Sequence, residues 1–173
     1  MPRVQSAALP IAHLLLRILV VANWLMGAAI LALLLIAPNE EWIMRSLELS
    51  PSPEADRIVL GLRVAAGIAL ASVPLNHAVL KRLLAMISTV QSGDPFIAAN
   101  ADRLQAIAWV LLALQILSIA SGLIGKAVST AGHPVQLGAG FSFHGWLAVL
   151  LMFVLARVFA EGARMRDDLE GTV

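Results

Sequence analysis

The residues that could take part in chemistry are few and widely spaced in this chain. Four histidines occur, at His13, His77, His133 and His144. None lies in an HExxH pattern or in another spacing that places two metal ligands on one helix face. Two histidines at equal depth on facing helices could hold a haem, but an amphipathic imidazole also suits the headgroup level of a membrane. We therefore predict no metal and no cofactor, with a haem- or quinone-binding bundle as a further alternative.

Three polar side chains fall within long apolar stretches, namely Asn23, Arg63 and Gln115. Polar groups at membrane depth are costly and often mark a path for an ion or a proton. Asn23 and Gln115 can equally form hydrogen bonds between helices, and Arg63 can extend to the headgroups. No acidic residue occurs in the four apolar runs, whereas a proton-coupled carrier usually needs one. A small transporter or channel-like protein is therefore the second hypothesis.

Signatures of enzymes are absent from the sequence. There is no GxSxG nucleophile elbow, no glycine-rich phosphate loop and no pair of carboxylates at catalytic spacing. The acidic run at Asp167, Asp168 and Glu170 has the composition of a solvated tail. The chain has no cysteine, which excludes disulfides, thiolate metal sites and a cysteine nucleophile. We predict that the protein is not an enzyme and has no catalytic residue.

Four apolar runs must position these residues. Hydrophobic residues make up 60% and charged residues 13% of the 173 residues, against about 45–50% and about 25% in a soluble domain. Each run approaches the ~20 residues with which a helix crosses a bilayer. The sequence predicts an all-α polytopic membrane protein, with four transmembrane helices in an antiparallel bundle that forms one domain over residues 1–173. The predicted spans are approximately 14–36, 58–80, 107–124 and 143–159.

A polar turn within residues 91–104 separates the second span from the third. Gly93 supplies the backbone freedom that a turn needs. Asp94 or Asn100 can cap the third span, and Pro95 suits a first helical position. The turn therefore joins two membrane hairpins.

The second span has its own start signal and an internal proline. Ser52 is a predicted N-cap, and Pro53 is a predicted first helical residue. Pro74 removes one backbone donor inside the span, which predicts a kink between Leu70 and Pro74. Beyond the bilayer, the helix is expected to continue to Val90.

Small residues and loops complete the pattern. Small residues recur at four-residue spacing, which is typical of places where membrane helices touch. They are Gly61, Ala65 and Ala69 in one row and Gly67 and Ala71 in another. Gly27, Ala28 and Ala29 form a further patch of small residues that lets another helix approach closely. The segment between the first two spans is predicted to form a short helix at the membrane surface, with Trp42 in the interface. The loop between Lys126 and Ser142 allows a short two-stranded ribbon through Val135 and Leu137.

The basic residues predict the orientation of the protein. Four spans place both termini and the Gly93 turn on one side, with eight of the twelve Lys and Arg residues. These eight are Arg3, Arg17, Lys81, Arg82, Arg103, Arg157, Arg164 and Arg166; the other four are Arg45, Arg57, Arg63 and Lys126. The positive-inside rule then predicts cytoplasmic termini. The net charge of +1 gives no electrostatic reason to expect direct binding of nucleic acid.

Two stretches together resemble a known family. One is Gly93-Asp94-Pro95-Phe96, followed by Asn100, Arg103 and Leu104. The other is the tail at 158–173, a charged helix that closes on an acidic-Leu-Thr-aliphatic pattern, here interrupted by Glu170-Gly171. They resemble the uncharacterised bacterial family called domain of unknown function 2975. The resemblance implies a small four-span inner-membrane protein, whose gene often neighbours a small Cro-like helix-turn-helix regulator. It implies no activity and no catalytic residue.

The first hypothesis is a non-enzymatic membrane partner or sensor for a cytoplasmic regulator, because both distinctive stretches fall on the predicted cytoplasmic side. The tail is expected to continue as a helix beyond the fourth span. Glu161 and Asp168 would then come within reach of basic residues at Lys81, Arg82 or Arg103. We predict that turn and tail form one docking surface, called the turn–tail surface below. Its residues are Asp94, Pro95, Phe96, Arg103, Glu161, Arg164 and Asp168.

Overall fold

A computed structural model describes residues 3–36, 40–46, 48, 50–129 and 140–170, with side chains throughout except at 3–8, 40, 41 and 170. Over these residues the backbone forms helices and connecting turns, without a strand. The helices are α1 (Arg3–Ile36), α2 (Glu40–Ser46), α3 (Pro53–Gln91), α4 (Ala98–Val128) and α5 (Phe143–Glu170). The ribbon expected through Val135 and Leu137 lies outside the described residues.

Four of these helices are long and apolar enough to cross a membrane. The qualifying segments are Leu9–Ile36, Pro53–Gln91, Ala98–Val128 and Phe143–Leu169. At 1.5 Å per residue, the 39 residues of α3 extend about 58 Å, roughly twice the ~30 Å hydrocarbon thickness of a bilayer. The predicted fold class, an all-α polytopic membrane protein with four transmembrane helices, is confirmed.

Large apolar side chains cover the outside of these helices. Leu25, Leu35, Leu60, Leu123 and Leu150 are all exposed. A soluble monomer rarely presents apolar surface on this scale, because water makes it unfavourable. Lipid chains are as apolar as leucine, so the same surface is stable within a bilayer.

Helix α3 begins as the sequence predicts. Pro53 is its first residue, and the Ser52 hydroxyl accepts a hydrogen bond from the Ala55 amide at 3.1 Å. An N-cap side chain satisfies one of the backbone donors that a helix start leaves open. The helix then continues through Pro74 to Gln91 without a break. The expected continuation of the helix to Val90 is confirmed, and the kink at Pro74 stays a prediction.

Helices α3 and α4 run antiparallel. Near the polar turn, Asn100 at the start of α4 donates a hydrogen bond to Thr89 at the end of α3. At their other ends, Gly61 of α3 lies against Val128, the last residue of α4. Because the start of each helix meets the end of the other, their directions are opposite.

One compact unit comprises Met1–Asn23, Leu75–Ala113 and Phe143–Val173. Helix α4 contributes a buried stripe to its core, consisting of Asn100, Ala101, Leu104, Ile107 and Ala108. Helix α5 contributes Val149, Ala156 and Ala163, which are spaced seven residues apart. The Trp109 and Phe153 rings meet edge to face, with 5.2 Å between centroids. This unit contains every residue of the turn–tail surface.

The other compact unit comprises Trp24–Pro74 and Leu114–Ser142. Its buried apolar side chains are Ala55, Ile58, Val59 and Val73. Two of the predicted small-residue contacts occur here, because a Cβ on Gly27 would lie 2.9 Å from Val73 Cγ1 and one on Gly61 would lie 2.5 Å from Val128 Cγ1. The prediction is wrong for Gly67, which faces open space.

Candidate partner-docking surface

Helix α3 ends in a hydrogen-bonded motif centred on Gly93. The Gly93 amide donates to the Val90 carbonyl at 3.1 Å, and the Asp94 amide donates to the Thr89 carbonyl at 3.0 Å. This pair of bonds defines a Schellman motif, which needs a residue of positive φ just beyond the helix. Gly93 has φ +89° and meets that need, as the sequence predicts.

The turn is longer than the sequence predicts. Helix α4 begins at Ala98, so Asp94 and Pro95 precede the helix and do not occupy its cap or first position. Asn100 lies within the first turn of α4, and it too is not the N-cap. The sequence prediction for this helix start is therefore wrong by about one helical turn. The four residues 94–97 form a non-helical segment that lies between the two helices.

Asn100 holds this segment in place. Its side chain is fully buried, and its amide nitrogen donates to Thr89 Oγ1 at 2.7 Å and to the Pro95 carbonyl at 2.8 Å. Its Oδ1 atom accepts a hydrogen bond from Arg103 at 2.7 Å. Buried polar groups require such partners, since an unpaired one costs the full desolvation penalty. One side chain thereby joins the end of α3, the turn and the first turns of α4.

Phe96 connects the turn to α5. Its ring stacks at a tilt on Phe159, with 5.1 Å between centroids. The ring also lies over Gly162, where an added Cβ would be 2.9 Å from Phe96 Cδ1. Only a glycine allows the ring to approach the helix so closely. Phe96 nevertheless keeps 45% of its surface exposed, so an apolar face remains available on this unit.

An ion pair also links the turn to the tail. Arg166 donates to Asp94 Oδ1 at 2.5 Å, and both side chains are partly exposed. The sequence instead leads us to expect links from Glu161 and Asp168 to basic residues of α3 or α4. Glu161 pairs at 3.7 Å with Arg164 on its own helix. Turn and tail are thus brought together through Arg166, which is not among the predicted residues.

The predicted residues of the turn–tail surface differ in their exposure and in their contacts. Arg103 is half-buried and tied to Asn100, so it positions the turn rather than facing solvent. Glu161, Arg164 and Asp168 are exposed on the predicted helical tail, which continues to Glu170. Arg82, a predicted neighbour of the tail, donates to the Ala78 carbonyl of its own helix at 3.0 Å.

Three further residues, Asn100, Gly162 and Arg166, help to form this surface, and only Asn100 could have been identified from the sequence. Asn100 has a detectable signal, because it falls at i, i+4, i+7 and i+8 spacing with the buried residues Leu104, Ile107 and Ala108. A polar residue in that stripe indicates a buried hydrogen-bond network. Gly162 and Arg166 carry no comparable signal, because their contacts depend on how α5 packs against the turn.

The polar groups considered for other chemistry do not converge into a metal site in the described part of the chain. There, no group of three or more His, Cys, Asp or Glu residues is placed to hold a metal ion. His133 lies outside the described residues. Gln115 is half-buried, and its Oε1 atom is buried without a hydrogen-bond partner among the described residues.

Together, the four long apolar helices and the polar turn that joins α3 to α4 define a multi-pass α-helical membrane protein. Residues 37–173 match the family described as Protein of unknown function (DUF2975). The match covers most of the chain, and the chain belongs to this family. No curated protein and no solved structure matches this chain. The resemblance stated from the turn and the tail is thereby confirmed at the level of the family.

Proposed function

We propose that this protein is a non-enzymatic membrane partner or sensor that docks a cytoplasmic regulator on its turn–tail surface. The observation that carries the proposal is the linkage of the turn to the tail. Phe96 stacks on Phe159, and Asp94 pairs with Arg166, so two distant parts of the sequence form one continuous face. Hydrogen bonds from the buried Asn100 side chain to Thr89 and Pro95 hold the turn in position.

The side chains on this face suit protein recognition. Phe96 offers an apolar contact, and the exposed Glu161 and Arg164 carry both signs of charge on the helix against which its ring packs. Interfaces commonly combine a partly exposed aromatic anchor with a polar rim. Exposed ion pairs add only about 0–1 kcal/mol of stability, so stability alone is a weak reason for these charges.

The proposed setting is the bacterial inner membrane, with the termini and the turn in the cytoplasm. The distribution of eight against four basic residues supports this orientation. A small helix-turn-helix regulator is the proposed partner, and any contact with nucleic acid would be made by that regulator. The charge balance of +1 supports a role without direct nucleic-acid binding.

Co-purification with the helix-turn-helix regulator tests the proposal. A photo-crosslinking residue at Ser92 should capture the regulator in intact cells, since Ser92 is exposed at the turn. Arg164→Glu should abolish capture without loss of folded protein, because the Arg164 side chain is 67% exposed and forms its ion pair with Glu161 of its own helix. Capture is the direct readout, and the yield of monodisperse protein reports folding.

Arg57→Glu is the matched control. It makes the same charge change at an exposed position near the start of α3, in the other compact unit. Capture should persist in this variant. If Arg164→Glu still captures the regulator at full strength, or if Arg57→Glu loses it equally, the docking proposal fails and the transporter hypothesis takes precedence.

A further inference from the structure

A cavity of about 660 Å³ lies within the unit formed by Trp24–Pro74 and Leu114–Ser142. Its volume falls in the ~300–1,000 Å³ range of pockets that bind small molecules. The described residues that line it come from α1, α2, α3 and α4, and none of them belongs to the turn–tail surface. A use of this cavity therefore does not depend on the proposed function.

One face of α3 and one face of α4 form most of the wall. Lining residues that follow each other at intervals of three or four lie on the same side of a helix. On α3 these are Leu62, Ala65, Ala69 and Ser72, and on α4 they are Leu114, Leu117, Ser118 and Ser121. Ala65 and Ala69, which the sequence assigns to a helix contact, thus line this space instead. The small side chains leave room beside α3 for another molecule.

Much of the polarity in the wall is already used within the protein. The Ser72 hydroxyl donates to the Ile68 carbonyl at 2.9 Å. Ser118 Oγ donates to the Gly140 carbonyl at 3.1 Å and accepts from the Gly140 amide at 3.3 Å. Arg63, the one charged side chain among the described residues of the lining, also has an interaction within the protein. These groups therefore do not require a polar or charged ligand.

The remaining wall suits a hydrocarbon better than water. Eleven of the sixteen lining residues are apolar, and Ser46 and Ser121 supply the other two hydroxyls. A buried water usually makes about three hydrogen bonds, whereas a cavity with an aliphatic wall stays dry and binds apolar molecules. If such a cavity is empty, the atoms of its wall lack van der Waals partners. An apolar occupant restores those contacts.

The position of the cavity indicates which apolar molecule reaches it. Its lining residues on α1, α3 and α4 all fall within segments apolar enough to cross a membrane, where lipid chains are the surrounding solvent. Along α3 the lining extends from Leu62 to Ser72, which at 1.5 Å per residue is about 15 Å. Half of the ~30 Å hydrocarbon core of a bilayer, the depth of one leaflet, has the same length.

From these observations we infer that the cavity binds one hydrocarbon chain of a membrane phospholipid and recognises the chain, not the headgroup. The chain lies along the faces of α3 and α4 and makes the van der Waals contacts that the small side chains of α3 leave open. Because the Arg63 guanidinium already interacts with the protein, the lining does not select an anionic headgroup. Phospholipids with the same chains and different headgroups therefore bind alike.

Fluorescence quenching by brominated chains tests this site. Trp42 lines the cavity and is the reporter, after replacement of Trp24, Trp109 and Trp146 by Phe. The full chain is placed in phosphatidylcholine vesicles whose acyl chains carry bromine. Since Trp42 is 50% exposed, lipid outside the cavity also quenches it. The contribution of the cavity is therefore the part of the quenching that a cavity-filling substitution removes.

Ala69→Leu fills the cavity without a change of charge, because Ala69 lines the wall. It should lower the quenching of Trp42, since the added side chain occupies the space of the acyl chain. Ala71→Leu is the matched control: the same substitution on the same helix, at an exposed position outside the lining, should leave the quenching unchanged. Equal quenching in the two variants overturns the proposal.

A second filling variant keeps the test decisive if Ala69→Leu disturbs the fold. Ala66 also lines the wall, and Ala66→Leu should lower the quenching in the same way. Helical circular dichroism and monodisperse elution check the folding of each variant. Undiminished quenching in a folded Ala66→Leu contradicts the assignment.

The headgroup is tested by repeating the measurement with brominated phosphatidylglycerol. The loss of quenching caused by Ala69→Leu should be the same as in phosphatidylcholine. A loss confined to phosphatidylglycerol would show that the headgroup charge selects the ligand, and it would contradict recognition of the chain.

Native mass spectrometry of the full chain, purified in mild detergent, distinguishes a phospholipid from another apolar ligand. The protein should retain one phospholipid molecule, which Ala69→Leu should lose and Ala71→Leu should keep. An isoprenoid quinone retained in place of the phospholipid, or a phospholipid retained equally by both variants, overturns the proposal.

Discussion

Asn100 illustrates how a single side chain sets the local structure of this protein. It is fully buried, and both of its amide hydrogens and its oxygen are used, by Thr89, Pro95 and Arg103. A buried network of this kind specifies one arrangement because any other leaves polar groups unpaired. The arrangement fixes the non-helical segment 94–97 and, through it, the position of Phe96.

Replacing Asn100 with alanine should destabilise the protein by about 1–3 kcal/mol, because the Pro95 carbonyl and the Arg103 guanidinium each lose a partner. The measurement is denaturant-induced unfolding in detergent, followed by circular dichroism. Gln105→Ala is the control, since Gln105 is exposed on the same helix and should change little. Equal stability of the two variants would mean that the network adds nothing to the fold.

Gly162→Ala should weaken the attachment of the turn to α5. The new Cβ would lie 2.9 Å from Phe96 Cδ1, so the ring must move, with a typical cost of ~1–3 kcal/mol for overpacking. In contrast, Gly67→Ala should stabilise α3 by about 0.5–1 kcal/mol, because its Cβ meets nothing and alanine favours the helix. Thermal unfolding of both variants provides the comparison.

A double variant shows whether the cost of Gly162→Ala comes from the Phe96 ring. If the ring is the obstacle, Phe96→Ala combined with Gly162→Ala should be less destabilised than the sum of the two single variants. Strict additivity would show that the alanine methyl disturbs something other than the ring.

At the scale of elements, the main feature is that α3 and α5, with 39 and 28 residues, are longer than the ~20 residues that a helix needs to cross a bilayer. Helix α3 extends to Gln91, and α5 extends to Glu170, so both project beyond the apolar segments on the side of the turn. The extension of α5 brings Arg166 beside Asp94 of the polar turn. The contact between turn and tail therefore depends on the continuation of α5 to Glu170.

Pro74→Ala tests whether the proline in α3 has a purely structural role. Alanine restores a backbone donor to the Leu70 carbonyl and favours the helix, so stability should be unchanged or higher. Thermal unfolding in detergent measures this effect, and Pro53→Ala provides the control at a first helical position. If Pro74 is a working hinge, the more stable variant should lose capture of the regulator. Marked destabilisation would contradict both interpretations.

At the scale of the whole molecule, the orientation can be tested directly because the chain has no native cysteine. Single cysteines at Ser46 and Ser129 should react with a membrane-impermeant thiol reagent in intact cells. Cysteines at Ser92 and Asp167 should react only after the membrane is permeabilised. The reason is that four spans place the turn and the tail on the side richer in Lys and Arg. Labelling of Ser92 in intact cells would reverse the proposed orientation.

The sequence by itself determined the class of protein and both ends of α3. Four apolar runs predict four membrane helices because the transfer of apolar side chains into lipid depends on composition alone. Ser52 and Gly93 mark helix ends because capping is a local interaction between residues that are a few positions apart. The helical tail likewise follows from local propensity, since no strong breaker interrupts it after the fourth span.

Only the tertiary structure decided which residues meet across the chain. Asp94 and Arg166 are separated by 72 positions, so their pairing depends on how α5 lies beside the turn. Local chemistry at residues 94–100 favoured an early start of α4, but the buried hydrogen bonds of Asn100 hold residues 94–97 outside the helix. The cavity lined by Ala65 and Ala69 could not be predicted from the sequence either, because small residues permit close helix packing without requiring it. Contacts between distant residues are set by the geometry of helix packing, which neither composition nor short-range spacing contains.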